Sequence, residues 1–201
     1  MTEEDTIVLA KKGDLFAFND LVLAYQQPVY NLALRMVGDV DIAADISQET
    51  FISAFGNLHQ FSGGSFRNWL LRSAANRSID ELRRQKRHPS QPLERQNADG
   101  EEIEDPNWMK DDGQDPAEEI ERRELASLIQ RCMNELTNEH RLVIILVDVF
   151  EMDYTEAQAV IAKPLGTLKS RLIRAREAIR RCLLGLAEQY SDFSRYKRES
   201  I

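Results

Sequence analysis

The sequence predicts an all-α fold: two small helical domains joined by an acidic flexible linker, the second containing a helix-turn-helix. Three observations lead there. Apolar residues recur at three- and four-residue spacing in both halves, with no β-type alternation and no internal repeat. A stretch rich in Pro, Gly and acids separates the halves. Near the end, a capped short helix, a tight turn and a strongly basic helix follow one another.

The first domain is placed at residues 1–88. Ile7, Leu9 and Ala10 open an amphipathic turn that stops near Gly13. Leu15, Phe16, Phe18, Leu21, Val22 and Tyr25 continue at helical spacing, and Pro28 is expected to bend or restart the chain. Val29, Leu32, Ala33, Met36 and Val37 form the next stripe, which Gly38 ends. A third helix carries Ile42, Ala43, Ile46, Thr50, Phe51, Ala54 and Phe55 on or near one face. Phe61 to Ser65 reads as a Gly/Ser loop, and a fourth helix runs from about Phe66 to Lys86.

Residues 89–116 read as linker. From Glu94 to Glu124 there are 13 acids against 4 bases, a net of −9, which suits a solvated segment. The second domain is placed at 117–186, with residues 187–201 as a tail. Its first helix spans Glu118 to Leu136, with Leu125, Leu128, Ile129, Cys132 and Met133 inward. Thr137 or Asn138 caps a second helix, Glu139 to Val149. Asp153 with Glu156, or Thr155 with Gln158, offers a capping box for a short third helix ending near Ala162. Lys163-Pro164-Leu165-Gly166 forms the turn, and the last helix starts near Thr167.

That last helix carries the function. Leu168, Leu172, Ala175, Ile179 and Leu183 make its buried stripe. Between Lys163 and Arg181 there are 7 bases and 1 acid, a net of +6 inside a chain whose net charge is −8. A cationic helix is ordinarily just a solvated face. Behind a capped helix and a tight turn, it instead suits the major groove, where Arg and Lys reach guanine edges and the helix N-terminus attracts phosphate. A second basic element spans Ser65 to His88, with 7 bases against 2 acids. Phe61, Phe66 and Trp69 lie beside it, an association of rings and cations that suits single-stranded nucleic acid unless the rings are core. A third is the acidic face of Asp41, Asp45, Gln48 and Glu49. Its i,i+4 like-charge pairs, with no basic residue nearby, suit a basic partner as well as solvent.

Other classes find less support. Cys132 and Cys182 have no metal-type spacing and read as buried small hydrophobes in a reducing compartment, with a redox pair as the alternative. His59, His88 and His140 are scattered, and Asp111 and Asp112 fall in the linker. No catalytic residue, metal or cofactor is therefore expected. No signal-peptide pattern opens the chain, and the longest aliphatic run, Leu142 to Val147, is far below a membrane span. A cytoplasmic protein without direct membrane insertion is expected. An ordinary helix-turn-helix regulator would explain the second domain but leave the first idle.

The blocks resemble, in order, the extracytoplasmic-function (ECF) subfamily of bacterial sigma-70 factors, the promoter-specificity subunits of RNA polymerase. KKGDLFAFNDLVLAYQQPVYNLALRMVGD resembles the opening helices of region 2. DIAADISQETFISAF resembles its polymerase-clamp-binding segment, and FSGGSFRNWLLRSAANRSIDELRRQKR its promoter-melting and minus-ten-reading segment. MNELTNEHRLVIILVDVFEMDYTEAQAVIAKPLGTLKSRLIRAR resembles region 4, which reads the minus-thirty-five element. The resemblance implies that Asp45, Gln48 and Glu49 dock on core polymerase. It implies that Phe61, Ser62, Gly63, Gly64 and Ser65 hold a flipped base, with Asn76, Asp80, Arg83 and Arg84 lining the single strand and Trp69 in support. Thr167, Lys169, Ser170, Arg171 and Arg174 would face the minus-thirty-five duplex. Core polymerase, promoter DNA and an anti-sigma factor are the implied partners, and the linker would occupy part of the polymerase's nucleic-acid channels. The sequence departs from the pattern at Ala162 (a turn glycine), Gln158 (a small alanine), Ala157 (a larger aliphatic residue), Lys163 (an apolar residue) and Thr137 (a frequent proline). A positive φ at Ala162 would cost on the order of 1 kcal/mol.

Overall fold

The computed structural model describes the backbone of residues 2–87 and 116–199. The linker expected at 89–116 thus lies almost wholly outside the described residues, as do Asp111 and Asp112.

The first module has four helices. Thr2 caps α1 (Glu3–Lys11) through a reciprocal box with Asp5. Asp14 caps α2 (Leu15–Val37), and Gly38 ends it in the left-handed conformation, φ 73°, which a residue without Cβ takes at little cost. Asp39 caps α3 (Val40–Asn57), and a single 3-10 turn, Leu58–Gln60, leads into the loop before α4 (Phe66–Arg87). Pro28 does not break α2. It removes the bond that Ala24 would accept, at a point where Ala24 is exposed to solvent. Leu21 before it and Val29, Leu32 and Met36 after it are buried in the same core, which holds both halves in one helix.

The second module starts with α5 (Pro116–Glu135). Thr137 caps α6 (Asn138–Ile144), which runs on as a π-type turn, Ile145–Val149. Asp153 and Glu156 form the box that starts α7 (Tyr154–Ile161), so the Asp153 alternative is the one adopted. The last helix, α8 (Leu165–Glu199), begins two residues earlier than expected, because Pro164 Oʹ accepts from Thr167 and Leu168 and so starts the helix. Leu165 and Gly166 therefore belong to the helix, and the turn is only Ala162 to Pro164.

Two inward assignments on α5 are corrected. Leu125 and Ile129 are exposed, at 54% and 40%, while Cys132 and Met133 are buried. The two cysteines are also not free. Cys132 and Cys182 form a disulfide between α5 and α8, with Cα atoms 5.7 Å apart. Helix packing brings together positions 50 residues apart, which spacing along the chain does not reveal.

A single apolar cluster joins the modules. It runs from Leu32, Met36, Phe61, Phe66 and Leu70 to Leu136, Val143, Ala157 and Val160. No helix among the described residues is long and apolar enough to cross a membrane.

Candidate nucleic-acid interface

The first candidate surface forms where the 61–65 loop meets α4. Gly63 and Gly64 hold φ of 109° and 86°, a region that L side chains rarely adopt, so the loop can turn sharply here. Ser65 starts α4: its Oγ accepts from the Asn68 N–H at 3.2 Å, and its carbonyl from Trp69 at 3.1 Å. Its hydroxyl is thus committed to capping, while Ser62 stands exposed.

The rings are largely core. Phe61 is 6% exposed and Phe66 fully buried, each edge-on to the other at 5.3 Å. Trp69 is half-buried and lies 5.5 Å from Phe66. Phe61 therefore shapes the loop from below rather than presenting a free stacking face. Lys11 of α1 fixes it there, donating to the Phe61 carbonyl at 2.5 Å with its ammonium 5.5 Å from the ring centre. Lys11 lies fifty positions upstream, so no local pattern points to it.

Above this floor lies a cavity of about 270 Å³, lined by the 60–65 loop, Asn68, Trp69, Arg72 and Ala159. Asn68 Oδ1 is buried with no hydrogen-bond partner. An unpaired buried acceptor is costly, so it is a place where a donor from outside would be welcome. Sequence reasoning passed over Asn68 because one Asn in a basic helix has no periodic or charge signature.

Asn76, Asp80, Arg83 and Arg84 are all exposed further along α4. Arg84 grips Glu81 with two bonds of 2.7 and 2.9 Å, which holds the Glu81 carboxyl below the usual range. Arg83 lies 3.4 Å from Asp80 and 3.8 Å from Glu139 of α6.

Asp45, Gln48 and Glu49 share the exposed face of α3. The expectation of no neighbouring base is corrected for Glu49, which pairs with Arg77 of α4 at 2.6 Å. Helix pairing supplies that base from 28 positions away.

The second surface is the start of α8. Ala162 takes φ 50° and ψ 44°, the left-handed conformation that lets α7 end and α8 depart. Ala157 is fully buried, Gln158 half-buried and Lys163 exposed. Lys169, Ser170 and Arg174 are exposed, with Thr167 and Arg171 half-buried. The Ser170 hydroxyl donates to the Thr167 carbonyl at 3.0 Å, and the Lys169 ammonium lies 5.6 Å from the Tyr154 ring. Downstream cations are paired: Arg176 with Asp148 at 3.0 Å, while Arg180 and Arg181 share the single carboxylate of Glu177 at 3.9 and 3.8 Å. Among the described residues no carboxylate pairs with Lys169, Arg171 or Arg174. The cations without a carboxylate partner among the described residues thus include three on the first turns of α8.

The Sigma-70 region 2 family matches residues 21–88, and the Sigma-70 region 4 family matches residues 126–179. The chain is 37% identical to the ECF RNA polymerase sigma factor SigW of Bacillus subtilis over 88% of its own length and 94% of that protein. This chain belongs to the ECF sigma factors. The ECF RNA polymerase sigma-E factor of Escherichia coli is 34% identical over 89% of the chain and 93% of that factor. Two solved structures share the fold: CnrH in complex with the cytosolic domain of CnrY, at TM-score 0.63 and 22% identity over 91% of this chain and 97% of the other, and RpoE of Bartonella quintana with the anti-sigma factor NepR, at 0.59 and 24% over 83% and 96%. As an ECF sigma factor, the chain serves promoter-directed transcription initiation.

Proposed function

We propose that this sigma factor reads its promoter with two surfaces, the minus-ten element as single strand in the 61–65 pocket and the minus-thirty-five element as duplex on α8. The observation that carries the first half is the cavity bounded by a glycine loop, with Asn68, whose buried Oδ1 is unpartnered, among its lining residues. A base flipped from the stack brings amino and imino donors able to meet such an acceptor. Ser62, Gly63, Gly64 and Ser65 form the rim, with Phe61 and Trp69 as its floor. Asn76, Asp80, Arg83 and Arg84 extend the strand's path along α4.

The second half is supported by the uncompensated charge at the start of α8. Lys169, Arg171 and Arg174, with Thr167 and Ser170, face the major groove on this reading, reaching base edges and phosphates. Asp45, Gln48 and Glu49 dock on core RNA polymerase, and the acidic linker enters its nucleic-acid channels. An anti-sigma factor holds the chain inactive, by likeness to the Bartonella quintana complex. The domain bounds proposed are 1–88, 89–116, 117–186 and 187–201.

Run-off transcription with core polymerase, with start sites mapped genome-wide, tests this reading. Asn68→Ala should reduce initiation without loss of core binding. Arg174→Ala should weaken duplex binding by about 1–3 kcal/mol if it reads a base, and in either case lower the salt slope by about 1. Absence of both core binding and any start-site shift would overturn the proposal.

A further inference from the structure

We infer that the free chain closes its own minus-ten pocket, with α7 docked over the 61–65 loop and α4 and Arg141 as the latch between the modules. This rests on the reading of that pocket given above. One wall of the cavity is Ala159, which belongs to α7 of the second module. Single-stranded DNA therefore meets the helix-turn-helix where it would meet the pocket.

Two cations of α4 are occupied in the same way. The Arg67 guanidinium lies 6.0 Å from the centre of the Phe150 ring, just past the π-type turn. Arg83 lies 3.8 Å from Glu139. Groups that a nucleic-acid backbone would engage are thus paired with the second module's own side chains.

Arg141 makes the closest link. It is 5% exposed, and burial lowers its tendency to hold a proton, yet it has no carboxylate partner among the described residues. Three carbonyls serve it instead. Nε donates to Met133 and one terminal nitrogen to Asn134, both at 2.9 Å, and the other terminal nitrogen donates to Met36. Met133 and Asn134 lie in the last turn of α5, and Met36 in the last turn of α2. The last carbonyls of a helix have no intrahelical donor and carry the negative end of its dipole. One buried guanidinium therefore satisfies two helix ends from different modules.

The construction favours reversibility. On opening, Arg141 keeps both bonds within its own module, and Met36 exchanges one donor for water. The polar contacts between α4 and the second module are individually weak, one ring contact and one exposed ion pair, and the shared apolar cluster supplies the rest of the closure. A partner that binds only the open form can shift such an equilibrium.

The test uses the full oxidised chain in solution. Ala159 is exposed on α7, so Ala159→Lys leaves the helix intact while placing an ammonium against Arg72 in the cavity. Wild type should scatter X-rays with a radius of gyration within a few ångström of ~17 Å, the value for a compact chain of 201 residues. Ala159→Lys should enlarge it at unchanged helix content and speed amide exchange across 61–69 by at least about tenfold, a change of one decade. Arg141→Ala should act in the same direction, and since it also strips α5 of a cap, Ala159→Lys remains the deciding variant. An expanded wild type whose scattering and exchange are unchanged by Ala159→Lys would overturn the closure. If closure holds while Asn68→Ala transcribes normally, the pocket reading fails and the closed state stands.

Discussion

Two non-glycine residues among those described hold a positive φ, Glu151 and Ala162, and Ala162 is the one at the helix-turn-helix turn. Its φ of 50° costs an L-residue roughly 1–2 kcal/mol, against the smaller entropy advantage of Ala over Gly in the unfolded chain. Ala162→Gly should therefore stabilise the second module by a few tenths to about 1 kcal/mol, read as a raised urea midpoint at unchanged m. A lowered midpoint would mean that surrounding contacts, not the turn, set the cost. Tyr25 supplies a pH effect. Burial, with the hydrogen bond and charge of Glu3, raises its phenol from 10.0 to about 12. The folded state thus favours the neutral phenol. Its contribution is complete below pH 10 and declines as pH rises from there toward 12. Tyr25→Phe should lose that decline, so the stability gap between wild type and variant should shrink over this window in denaturant titrations.

At the scale of elements, caps and periods were legible because they are local. Thr137, Asp153 and Gly38 act within three or four positions of themselves, and each stands where the sequence pattern puts it. Asp153 accepts from Thr155 and Glu156, so Asp153→Ala should cost about 1 kcal/mol and fray the start of α7 first, visible in amide exchange at those two residues. Elements were misread where a distant partner decides. Pro28 suggests a bend or a restart, but no restart occurs, because buried residues on both sides of it pack in one core and keep α2 continuous. The Cys132–Cys182 link depends on the α5–α8 contact, and neither helix announces the other. A cross-link spanning 50 residues restricts the unfolded chain by up to about 4 kcal/mol. Reduction should lower the thermal midpoint of the second module, and Cys132→Ser should abolish the difference between oxidised and reduced samples.

For the whole molecule, the charge map was legible and the module contact was not. Net charge per segment follows from composition, but which cations of α8 meet a carboxylate does not: Arg176, Arg180 and Arg181 do, and among the described residues Lys169, Arg171 and Arg174 do not. The contact depends on a backbone carbonyl 105 positions from Arg141, and a carbonyl has no sequence identity to read. Its consequence is cooperative. Residues of both modules share one apolar cluster, so melting either half exposes surface that the other buries. The wild-type chain should then unfold in one calorimetric transition whose van't Hoff and calorimetric enthalpies agree. Ala159→Lys, which pushes α7 off α4, should divide that transition in two, with Asn68→Ala as a control that stays single. Two transitions in the wild type would mean that the shared cluster contributes too little to couple the modules, and the docked arrangement would then be one open to polymerase at little cost.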